Sequence, residues 1–169
     1  SQDSNRDSFV SRGLGDVYMR QIHGDVLALI GDNKPEWVFF EIACHANGGM
    51  SLGVYRDTLD DEVGYLVKSA KVKFAYAEDQ EQVDKLINVQ KKLKTKIKVI
   101  YDDPRGLEKL KNPNVINMKD LASVGKKQLN KNNKVYENLI NKVSGETVSV
   151  LCTTSGTTSN PKLAMLPAN

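Results

Sequence analysis

The sequence predicts an α/β layered fold with a mainly parallel β-sheet, and three observations lead there. Between residues 26 and 101, short apolar runs of strand length alternate with longer stretches of helical period, the pattern left by βαβ units. The first run, Val26-Leu27-Ala28-Leu29-Ile30, is apolar without interruption, as expected of a strand buried on both faces. Glycine, proline and asparagine mark the joints between runs.

Residues 1–23 are polar and irregular, with Gly13 and Gly15 interrupting a possible helix over 17–22. They are set apart from residues 24–169, which carry the layered pattern. After the first strand, Asn33, Pro35 and Glu36 form a helix start: a capping side chain, a proline in the first turn and an acid three residues past the cap. The helix predicted over 36–47 is apolar almost all round and is therefore expected to be buried. Within it, the spacing of Trp37 to Phe40 favours core packing over a stacking role for the indole. Gly48 and Gly49 end that helix, and residues 50–55 read as the second strand.

Thr58 opens the next helix, where Val63, Leu66, Val67 and Ala70 share one face. Asp60, Asp61 and Glu62 lie in its first turn, where the positive end of the helix dipole accounts for them without a metal. A third strand over 72–77, a helix over 80–93 and a fourth strand over 97–101 follow. The lysines 91–96 read as a solvated helix end. Beyond Pro104 and Gly106 the pattern weakens to a short helix near Leu107, a strand at 115–116 and helices over 119–124 and 136–143. Residues 126–134, rich in Asn and Lys, read as an exposed connection.

A chain of 169 residues is long enough for one domain with its own core. Its net charge of +3 is dispersed among acids and does not indicate nucleic acid binding. No apolar run reaches the roughly 20 residues that span a bilayer. Cys44 and Cys152 stand apart without metal-ligand spacing and read as free thiols. No metal site is expected.

The most informative stretch follows the last strand. Val148, Val150 and Leu151 give way to Thr153, Thr154, Ser155, Gly156, Thr157 and Thr158, then Pro161 and Lys162. Hydroxyls and a turn-permitting glycine let several donors converge on one anion, and hydrogen bonds to a charged partner contribute roughly 1.5–3 kcal/mol each. Lys162 adds a full positive charge, on an approach stiffened by Pro161. It is not a Walker loop, which needs Gly before the Lys and Ser or Thr after it.

The string from Thr154 to Lys162, Thr-Ser-Gly-Thr-Thr-x-x-Pro-Lys, resembles the phosphate-binding signature of the adenylate-forming (AMP-binding) enzymes. With Leu151-Cys152-Thr153 before it and Met165-Leu166 after it, the text is most similar to bacterial long-chain fatty acyl-CoA synthetases. Gly31-Asp32-Asn33-Lys34-Pro35-Glu36-Trp37 and Gly48-Gly49 are similar to their N-terminal subdomain. Ser159 departs from the usual glycine, and Leu163-Ala164 from Gly-Val.

The resemblance implies a partial N-terminal domain over 24–169, ending just after the phosphate loop. It implies that Thr154, Ser155, Gly156, Thr157, Thr158 and Lys162 hold ATP phosphates. Mg²⁺ and coenzyme A would be the other cofactors, and a fatty acid or other carboxylate the substrate. Catalytic residues, the adenine site and the metal-holding acid would lie in the rest of the parent chain, so these residues alone should not turn over. The parent would be cytoplasmic or peripheral to a membrane. Another adenylating ligase, such as an aryl-CoA ligase or a peptide-synthetase domain, and a non-catalytic α/β fragment stay open as alternatives.

Overall fold

The computed structural model describes residues 24–131, 134–154 and 161–168. The expected helix over 17–22 lies outside them. Strands β1 (Val26–Ile30), β2 (Met50–Val54), β3 (Phe74–Ala77), β4 (Lys98–Tyr101), β5 (Val115–Asn117), β6 (Val148–Thr154) and β7 (Lys162–Pro167) form one sheet in the order β5-β4-β3-β1-β2-β6-β7. All neighbours pair in parallel except β6 and β7. The α/β class and the mainly parallel sheet are as the sequence indicates.

Helices α1 (Pro35–Ala46), α2 (Asp60–Ser69), α3 (Gln80–Leu93), α4 (Met118–Lys131) and α5 (Val135–Ile140) connect the strands. The chain steps one way from β1 to β2 and the other way from β2 to β3 and β4. Right-handed crossovers must then put α1 on one face of the sheet and α2 and α3 on the other. The packing agrees. Ala28, Ile30, Leu52, Ala75 and Val99 meet Val63, Leu66, Val67, Val83 and Leu86 of α2 and α3. Leu27, Leu29, Phe74 and Tyr76 meet Trp37, Phe40 and Cys44 of α1. Alternate residues of β1 thus serve both cores, which is why the run is apolar throughout.

Trp37 lies against the sheet as expected, and a Cβ built on Gly53 would stand 3.2 Å from its ring. Only glycine on β2 lets the indole settle there without displacement. Phe40 stacks on Tyr76 with centroids 4.9 Å apart.

Several expectations are corrected. Helix α1 is not buried all round: among its residues only Cys44 is fully buried, while Val38, Phe39 and Ile42 are exposed. Its N-cap is Lys34, with Pro35 in the first turn and no capping side chain, not Asn33. Residues 105–109 form turns instead of a helix, since Gly106 takes φ +78. Helix α4 runs through much of the stretch expected to be an exposed connection, and α5 stops at Ile140. Helix α2 starts at Asp60 with Leu59 as N-cap, so its three carboxylates occupy the first turn, and Asp61 pairs with Lys92 of α3 at 2.6 Å.

Candidate functional site

Ligands of open parallel sheets gather at the carboxyl ends of strands, where successive connections leave for opposite faces. Here that point lies between β1, which continues into α1, and β3, which continues into α3. The protein's own side chains fill it. Glu78, buried just past β3, accepts the backbone N–H of Asp32 at 2.5 Å and pairs with Lys34. Gly31, after β1, makes room for this: an added Cβ would lie 2.7 Å from the Cβ of Glu78.

Arg56, following β2, clasps the same two loops. It binds Asp32 at 2.7 Å and reaches Asp79 at 3.6 Å, while its carbonyl accepts from Lys85 of α3 at 2.7 Å. Burial alone would raise the Glu78 carboxyl. The Asp32 N–H, Lys34 and Arg56 outweigh it and hold the group below the usual glutamate range. Asp102, past β4, goes the other way, raised by burial and by the neighbouring Glu36. Sequence reading took Asn33 as part of a helix start and missed this cluster. The cue was an acid-bearing turn after each of two neighbouring strands.

The hydroxyl loop leaves from elsewhere. It follows β6, two strands from β1 and hence roughly 10 Å along the sheet edge. Of the residues expected to hold phosphate, Thr154 and Lys162 are described, and they stand directly opposite each other as cross-strand partners. The Thr154 hydroxyl points to the Lys162 carbonyl at 3.4 Å. Both are exposed, and Lys162 forms no ion pair with a described residue. Ser155, Gly156, Thr157 and Thr158 lie outside the described residues.

The hairpin was not anticipated, because residues 163–166 read only as the flank of a motif. Its ladder gives the departure at Leu163 a reason: this residue pairs with Thr153 and packs on the main core, where a glycine would pack nothing. Pro167 sits at the far end of this edge strand, where its missing N–H costs no ladder bond.

A second polar group invites a catalytic reading and does not support one. Ser51 Oγ donates to Glu41 at 2.9 Å and faces His45 Nε2 at 3.0 Å. A hydroxyl with its one proton on Glu41 accepts from His45, so the imidazole acts here as donor and not as base. The acid also touches the serine instead of orienting the histidine, unlike a nucleophilic triad. Ser51 is buried, and the trio ties α1 to β2. Cys44, buried nearby, has its thiol pushed up to about 12 by burial, far from a reactive thiolate. Among the described residues no group of three or more His, Cys, Asp or Glu could hold a metal ion.

Comparison with known proteins bears on this arrangement. Residues 20–169 match the family model described as AMP-binding enzyme. The long-chain-fatty-acid–CoA ligase ACSBG1 of Rattus norvegicus is 28% identical over 158 residues, 93% of this chain and 21% of its own length. Long-chain-fatty-acid–CoA ligase 5 of Rattus norvegicus is 32% identical over 148 residues, covering 83% of this chain and 20% of its own. The chain therefore spans about a fifth of these relatives. Among solved structures, the luciferase-like enzyme from the nonluminescent Zophobas morio mealworm superposes with TM-score 0.65 at 13% identity, over 96% of this chain and 35% of that one. An anthranilate CoA ligase, AuaEII, gives 0.64 at 13% identity, over 95% and 29%. With a family model matched across nearly all of its length and a fold shared with these enzymes, this chain belongs to the AMP-binding, adenylate-forming enzymes.

Proposed function

We propose that residues 24–169 are the N-terminal portion of an ATP-dependent long-chain fatty acid–CoA ligase, ending just past its phosphate loop. The observation that carries this reading is the cross-strand pairing of Thr154 with Lys162, which holds the two ends of the hydroxyl signature side by side at the sheet edge. The names of the curated relatives support the substrate class.

In this reading a carboxylate oxygen attacks the α-phosphorus of ATP. An O–P bond forms to give the acyl-adenylate, the bond to pyrophosphate breaks, and coenzyme A later takes the acyl group as a thioester. Negative charge gathers on the leaving pyrophosphate. Lys162 and the donors of Thr154, Ser155, Gly156, Thr157 and Thr158 hold that charge as it develops, which lowers the barrier more than it tightens ground-state binding. Mg²⁺ would neutralise phosphate charge when bound, held by residues elsewhere in the parent.

ATP–pyrophosphate exchange by the full-length protein tests the reading. Lys162→Ala and Ser155→Ala are expected to slow exchange at least tenfold with the unfolding midpoint unchanged. Unchanged exchange would overturn the assignment. A panel of fatty, aryl and amino carboxylates then distinguishes a long-chain ligase from another adenylating enzyme.

A further inference from the structure

We propose that the carboxyl ends of β3 and β4, together with the first turn of α1, form a binding site for a primary ammonium group, with Tyr76 Oη, Glu36 and Asp102 as its three acceptors. The orphaned hydroxyl carries the inference. Tyr76 is fully buried, and its Oη has no hydrogen-bond partner among the described residues. Buried polar side-chain atoms are hydrogen-bonded in the large majority of cases, so one that is not points to a missing partner.

Register and alternation bring two carboxylates to that hydroxyl. Tyr76 faces α1, where its ring stacks on Phe40. Glu36 lies one helical turn before Phe40, on the same stripe of α1. On the neighbouring strand, Tyr101 packs on the α2 and α3 side, and the Asp102 N–H prolongs the ladder by donating to the Ala77 carbonyl at 3.3 Å. Alternation then turns the Asp102 side chain to the α1 side, beside Tyr76. The electrostatics agree: after burial, the Asp102 and Glu36 carboxylates contribute most to pushing the phenol up. Both acids are half-buried, and neither carboxylate forms an ion pair or hydrogen bond with a described residue. Lys34, the neighbouring cation, is engaged by Glu78.

Two unpaired carboxylates facing a hydroxyl suit a cation. The helix dipole accounts for an acid in the first turn of α1, but it accounts for neither Asp102 nor the hydroxyl. Three acceptors match the three N–H donors of an ammonium group, and charge-assisted hydrogen bonds would replace the repulsion between the two acids. A divalent ion fits less well. Calcium takes roughly six to eight oxygens, and no group of three such ligands stands here among the described residues. Glu36, held by no bond, is the side chain that swings aside to admit the ligand to the hydroxyl. The site is three strands from β6 in the sheet order, roughly 14 Å along the edge, and so is separate from the hydroxyl loop.

The test follows the thermal unfolding midpoint of the full-length parent in methylammonium chloride. Tetramethylammonium chloride at equal ionic strength is the reference, a cation without an N–H. Methylammonium at about 100 mM is expected to raise the midpoint by at least about 2 °C over the reference, the shift given by a ligand well above its dissociation constant. Tyr76→Phe, Glu36→Gln and Asp102→Asn should each lose most of that rise. Tyr76→Phe removes a single oxygen and is expected to keep the amine-free midpoint, so its lost response reports binding and not misfolding. No rise in the unsubstituted protein, or an equal rise in every variant, would overturn the proposal. A rise reproduced by potassium chloride and lost in the variants would give the acceptors to a metal ion and overturn it as well. The readout involves neither ATP nor a carboxylate substrate, so its failure and that of the ligase reading are separable.

Discussion

The backbone N–H of Asp32 and the carboxylate of Glu78, 46 residues apart in sequence, meet at 2.5 Å, joining the turn after β1 to the turn after β3. The folded carboxyl titrates below its ordinary value of 4.5. Its contribution is therefore complete above that pH and fades as pH falls through the lower folded value. Glu78→Gln is expected to cost about 2 kcal/mol at neutral pH, and the gap to the unsubstituted protein should close as unfolding is measured at progressively lower pH. A gap that widens in acid would show that the carboxylate is not what holds these turns.

Gly31→Ala tests the same junction from the other side. The new methyl would overlap Glu78, and the side chain can retreat only by giving up its bonds to Asp32 and Lys34. A loss of about 1–3 kcal/mol is expected in urea unfolding. Combining it with Glu78→Gln should cost less than the sum, since both act on one contact.

Tyr76 Oη and both amide atoms of Gln82 are buried without a hydrogen-bond partner among the described residues. Removing a polar group that gains nothing from its surroundings is nearly free or favourable. Tyr76→Phe and Gln82→Met should leave the midpoint of unfolding unchanged or raise it slightly. A loss above about 1 kcal/mol in either variant would reveal a partner elsewhere in the protein.

Thr154→Val separates fold from chemistry at the hairpin. The hydroxyl's contact to Lys162 is long and exposed, and valine suits a strand as well as threonine does. Stability should move by less than about 0.5 kcal/mol, while pyrophosphate exchange falls if the hydroxyl serves phosphate. Equal, small effects on both would remove Thr154 from the site.

The strands legible in the sequence were those whose environment is uniform. Residues 26–30 are apolar because both faces are covered, and Val63, Leu66 and Val67 repeat because α2 has one covered side. What escaped depends on partners distant in sequence. Helix α4 extends through lysines that favour helix by propensity but resemble a loop in composition. The Asp32, Glu78 and Arg56 cluster joins three turns that only the strand order brings together. The outer face of α1 was read as core because composition records that a surface is apolar, not whether a neighbouring element packs on it. The hydroxyl signature was legible as chemistry, yet nothing local announced that residues 163–166 would fold back along β6.

That return has a consequence for the cost of folding. A tether whose two ends are already zipped together, as Thr154 and Lys162 are, has no end-to-end search left to perform once the sheet forms. Lengthening it should then be nearly harmless to stability, each doubling costing only about 0.6 kcal/mol.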